Sequence, residues 1–186
     1  MNKFEQRIRN LAPELGDIIL QTGNSFDIAL HYRRLLEESN MSTDNDLYFM
    51  VVLTGVYAFK TIEGLIAINC SQDIGDILND EQLRGAVLHE LGHIRRGDLE
   101  GSVNRVEDNE DNEIAADRFA LDHGVKAIDL LNAVTTLTIY GVNQLTAWKK
   151  IVDNCTKVRK AEKGIQAALD QLPRLMGKRY DALINS

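Results

Sequence analysis

The sequence predicts an α+β fold, and three observations predict it. Apolar residues recur at helical spacing near the N-terminus, a β-branched and aromatic stretch follows residue 46, and helical spacing then returns and persists. At 186 residues one domain is expected over 1–186, with helices over 1–46, a sheet and the site-bearing helices over 47–124, and C-terminal helices over 125–186.

Residues 4–39 read as helical, with Phe4, Ile8, Leu11 and Leu15 in one segment and Phe26, Ala29, Leu30 and Leu35 in the next. "QTGNS" separates the two, and Thr22, Asn24 or Ser25 offers a cap for the second. "SNMSTDND" (39–46) is a loop by polarity. "LYFMVVL" (47–53), "VYAFK" (56–60) and "LIAIN" (65–69), punctuated by Gly55 and Gly64, predict a small, mostly antiparallel sheet. "NDEQLRGAVLHELGHIRRG" carries both ends of one helix: Asn79 or Asp80 as cap, Glu81 and Gln82 in the first turn, Arg95 and Arg96 in the last, and Gly97 beyond. After the polar segment "DLEGSVNRVEDNEDN", "EIAADRFALDHG" predicts a second helix closing at Gly124. From Val125 onward helical spacing runs on, with breaks expected near Tyr140 and Gly141 and at Pro173.

Charge narrows the function classes. A net charge of −7 and a pI near 5.1 argue against a protein that grips phosphate backbones, so no nucleic-acid partner is expected. No apolar run reaches the ~20 residues of a transmembrane segment, and "MNKFEQRIRN" lacks a signal-peptide core, so a cytoplasmic protein is expected. Cys70 and Cys155 are too few for a disulfide framework and read as reduced core thiols.

The chemistry gathers in "AVLHELGHIRRGD", Ala86 to Asp98. On a helical wheel Leu83, Val87, Leu91 and Ile94 share one side, while His89 and His93 fall together on an adjacent stripe. Imidazoles at i and i+4 can reach one ion, with Glu90 beside them free to take a proton from metal-bound water. Gly92 would let another backbone approach closely. A catalytic zinc ion takes three protein ligands and keeps its fourth position for water, so a third ligand must lie downstream. Glu113, twenty residues after His93, is the strongest candidate, with Asp117, Asp111 and Glu110 next in line. Asp117 stands one turn beyond Glu113, placed to accept a hydrogen bond from the far ring nitrogen of a ligating histidine. The competing reading for Glu113 is a solvated helix start, since "EDNEDNE" from Glu107 to Glu113 is a run of acidic charge favoured by the helix dipole.

"ILNDEQLRGAVLHELGHIRRGD" followed by "EIAADRFALDHG" resembles the gluzincin zinc metallopeptidases related to the CAAX prenyl endopeptidase and the heat-shock protease HtpX, over roughly residues 50–135. "YAFKTIEGLIAIN" looks like that family's segment leading into an edge strand. The resemblance implies a zincin-like domain in soluble form, with His89, His93 and Glu113 as zinc ligands, Glu90 as general base and Asp117 as supporting carboxylate. The chain departs from the family at Tyr57, where many members have Asn, and it lacks the membrane helices of the best-known members, so processing of membrane proteins is not implied.

The expected function is a zinc endopeptidase acting on a protein or peptide substrate, which would add as a strand to the sheet edge at "LIAIN". The alternatives are a zinc scaffold that binds a partner without turnover, and a dedicated protease that inactivates one regulator. Glu90 favours an enzyme, because a scaffold needs only ligands. Arg118, His123 and Tyr140 are open candidates for stabilising an oxyanion, although His123 before Gly124 reads first as a helix cap. His31 reads as a surface or satellite-core residue, and Trp148 as core or interface filling.

Overall fold

The computed structural model of the chain describes residues 1–24, 27, 55–60, 64–99, 110–152, 170, 173–174 and 176–185. Among them are six helices and one three-stranded sheet, in the order α1 (Lys3–Leu11), a 3₁₀ turn (Pro13–Leu15), β1 (Ile19–Gln21), β2 (Val56–Lys60), β3 (Ile66–Cys70), α2 (Gln72–Ile77), α3 (Asp80–Arg96), α4 (Glu110–Asp122), α5 (Ala127–Val152) and α6 (176–184). The α+β class holds. None of these helices is long and apolar enough to cross a membrane.

The sheet corrects two expectations. Its order is β1-β3-β2, with β3 antiparallel to β2 and parallel to β1, so it is mixed rather than mostly antiparallel. β1 falls in a segment read as helical, because Ile18, Ile19 and Leu20 are consecutive apolar residues that fit either period. It pairs in parallel through Ile19 with Ala67, Leu20 with Ile68 and Gln21 with Asn69. "LIAIN" therefore lies in the central strand. With both its sides paired it cannot receive a substrate strand, and β1 and β2 are the edges among the described residues.

Helix α3 runs through the middle of the core. Asn79 caps it by accepting from the Gln82 amide at 2.9 Å, while the Gln82 side chain accepts from the Asn79 amide at 3.1 Å, a reciprocal pair that satisfies two otherwise orphan donors. Gly97 ends it in the left-handed region at φ 74°. Leu83, Val87 and Leu91 are fully buried, as their shared side of the wheel predicts, and Ile94 packs at the margin. Gly85, Ala86, Leu88 and Gly92 are buried too, because α1, the sheet, α4 and α5 pack around it. Arg7 of α1 donates to Asp80 Oδ1 and to the Gly75 carbonyl, both at 2.8 Å, and so fixes the start of α3.

Helix α4 closes at Gly124, where the Gly124 amide donates to the Leu121 carbonyl and the Val125 amide to that of Ala120. Helix α5 continues through Tyr140 and Gly141 without the expected break. An interior glycine costs a helix only about 1 kcal/mol relative to alanine, less than a packed helix of this length gains by continuing. Cys70 is buried and unpaired, as expected. The second N-terminal helix, the strand at 47–53, His31, Cys155 and the side chain of Trp148 lie outside the described residues.

Candidate metal centre

One turn of α3 separates His89 from His93, and their rings meet edge to face with centroids 4.7 Å apart and Nε2 atoms 3.1 Å apart. The third group arrives from α4. Gly92 makes that approach possible, since a Cβ there would stand 3.0 Å from the Ala116 Cα and 3.1 Å from its carbonyl oxygen. Across this crossing Glu113, one turn before Ala116, sets Oε2 3.3 Å from His89 Nε2 and Oε1 3.2 Å from His93 Nε2. One ligand atom from each of His89, His93 and Glu113 lies within 4.8 Å of the others, so this group could hold a metal ion.

The other ring nitrogens are taken. His89 Nδ1 lies 2.8 Å from Asp117 Oδ1, and His93 Nδ1 lies 3.1 Å from Asp98 Oδ2. An ionised carboxylate only accepts, so each Nδ1 carries its hydrogen outward and each Nε2 is turned toward Glu113. Asp117 is the support expected one turn after Glu113. Asp98 was not foreseen in this role, and the stop signal of α3 delivers it. The Gly97 amide donates to the Ile94 carbonyl and the Asp98 amide to that of His93, a reversal that folds Asp98 back onto the imidazole.

Arg179 of α6 is the second residue that sequence patterns missed. It is buried, with Nε donating to Asp117 Oδ2 at 3.0 Å, Nη2 to Asp117 Oδ1 at 2.7 Å and Nη1 to Glu113 Oε2 at 3.0 Å. Three cations crowd this tail, Arg174, Lys178 and Arg179, and only the last is buried. Its signal exists in three dimensions alone.

Glu90, half-buried, turns to the sheet, and its Oε2 accepts a 2.6 Å hydrogen bond from the Ala58 amide of β2. Burial holds its carboxyl above the usual carboxylate range, against the pull of His89 and His93. Burial would raise Glu113 as well, but hydrogen bonds from both imidazoles and the charge of Arg179 carry it well below that range. Asp117 is lowered in the same way, with burial overcome by His89 and Arg179. Burial and Arg179 push the His89 imidazole down, and the hydrogen bonds to Asp117 and Glu113 outweigh them, leaving it raised to about 9. The cluster thus holds one carboxylate ready to take a proton and two kept ionised.

The other candidates stand apart. Asp111 and Arg118 are exposed on α4. Nδ1 of His123 lies 2.8 Å from the Phe119 carbonyl, the capping role expected of it, and its ring stacks on Phe119. Tyr140 packs against the core cluster. No family model, no curated protein and no solved structure matches the chain.

Proposed function

We propose that the protein is a zinc-dependent endopeptidase with a zincin-like arrangement, in which His89, His93 and Glu113 hold the ion and Glu90 is the general base. The observation that carries this reading is the convergence of both Nε2 atoms and the Glu113 carboxylate while both Nδ1 atoms are bound to carboxylates. Two imidazole nitrogens and one carboxylate oxygen form a borderline donor set that suits zinc and leaves a position for water. When bound, the ion would polarise the scissile carbonyl and acidify a water.

The remaining steps belong to the chain's own residues. The Ala58 amide holds Oε2 of Glu90, and Oε1 would take the proton. Glu90 accepts a proton from the attacking water as the oxygen–carbon bond forms, then delivers it to the leaving nitrogen as the carbon–nitrogen bond breaks. Its raised proton affinity suits both halves of that transfer. Because the Ala58 amide faces Glu90 rather than β3, the Ala58 carbonyl points the same way, as the two groups of one residue do in an antiparallel pair. An extended peptide laid along β2 would therefore place its backbone beside Glu90, and main-chain pairing would orient it without demanding one sequence.

Glu90→Gln is the deciding variant. It should keep one zinc ion per chain and lose cleavage of a broad peptide library by roughly 10²–10⁴-fold, the usual contribution of a general base. Wild-type protein that carries zinc and cleaves nothing in that library, or a Gln variant that cleaves as well, sinks the enzyme reading and leaves a zinc scaffold.

A further inference from the structure

Arg179 does more than neutralise charge. Its guanidinium spends all three nitrogens on two carboxylates, gripping both oxygens of Asp117 and only Oε2 of Glu113. Oε1 of Glu113 faces His93 Nε2 at 3.2 Å, and Oε2, besides its contact with Arg179, lies 3.3 Å from His89 Nε2. We propose that Arg179 is a positioning residue of the metal centre, tying Oε2 of Glu113 to Asp117 so that the carboxylate is held in one orientation against the two imidazoles. This rests on the metal-site reading above.

Two effects oppose each other when Arg179 is removed. A cation 3.0 Å from Glu113 draws charge from the carboxylate, so on electrostatics alone its loss would tighten ion binding. A positioning role predicts the reverse, because Glu113 gains rotational freedom and Asp117, which orients His89, loses both of its contacts to Arg179. The sign of the change separates the two. Lysine separates them again, since one ammonium keeps the charge yet cannot span two carboxylates as the planar fork does.

The test is Zn²⁺ titration of the full chain against a competing chelator, with the visible spectrum of the Co²⁺-loaded protein alongside. Wild type and His89→Ala come first. Zn²⁺ binding that is absent from wild type, or unaffected by His89→Ala, overturns the metal centre and this role with it, before Arg179 is touched. With the centre established, Arg179→Met should weaken Zn²⁺ binding by roughly 10–100-fold, the usual effect of losing a partner that orients a ligand. Arg179→Lys should weaken it in the same direction. In both, the Co²⁺ band should differ from that of wild type as Glu113 leaves this orientation, while Tyr180→Ala, at an exposed neighbour, should match wild type. Unchanged or tighter binding in Arg179→Met overturns the proposal. If that variant does not fold, Arg179→Lys decides: a lysine equal to wild type in affinity and spectrum reduces the residue to a point charge and overturns the positioning role.

Discussion

Each imidazole of the pair has its own carboxylate, and the two carboxylates come from different places. Asp117 reaches His89 from the neighbouring helix, whereas Asp98 reaches His93 from five residues further along the same chain segment. Asp98→Asn keeps the shape and removes the charge. It should lower Zn²⁺ affinity by roughly 10–100-fold with an unchanged circular dichroism spectrum, and affinity equal to wild type would confine Asp98 to stopping the helix. Asp117 was legible in the sequence because i+4 spacing from Glu113 is a pattern. Asp98 was hidden behind the glycine that ends α3, and Arg179 because nothing but folding brings it to Asp117, 62 residues away. Cys70 makes a separate prediction. Burial pushes its thiol up to about 12 from the usual 9.0, despite the opposing charge of Arg7. The folded chain therefore keeps a proton that the unfolded chain releases, and stability should fall as pH rises from about 9 toward 12, by up to ~1.4 kcal/mol per unit. Denaturant midpoints at pH 8 and pH 10.5 should diverge in wild type and draw together in Cys70→Ala.

At the scale of elements, the crossing of α3 and α4 sets the site. Gly92→Ala would recover about 1 kcal/mol of helix propensity and lose about 1–3 kcal/mol to crowding against Ala116 and Phe119. The variant should fold, melt slightly lower, and bind Zn²⁺ more weakly, because α4 must shift and carry Glu113 with it. A chelator titration beside a melting curve checks this, and a normal affinity would show that the crossing has slack. Helix α3 was legible in full, since Asn79, Gln82 and Gly97 each leave a chemical mark at its ends. The role of Gly92 was legible for the same reason, being a residue without a side chain between the two histidines. β1 was not, because three apolar residues in a row carry no period, and its strand character comes from pairing with β3. The uninterrupted α5 was not either, as Gly141 is buried there and tertiary packing overrides its weak helix propensity.

Across the whole molecule, the proposed ion binding would act as a stability term. Zn²⁺ at 100 times its dissociation constant should stabilise the folded chain by about 2.7 kcal/mol, which for a protein of this size corresponds to roughly 5–11 °C in melting temperature. The His89→Ala variant should show little of that rise, and a rise of equal size in both would place the ion elsewhere. The spacing of the ligands adds a consequence for how the site comes into being. His89 and His93 are brought together by four residues of one helix, whereas Arg179 lies 90 residues from His89 and must wait for a long loop to close. A chain that has formed little more than α3 already presents two imidazoles, so ions can associate with it before the fold is complete. Ion binding to such a chain would subtract from the stabilisation measured at equilibrium.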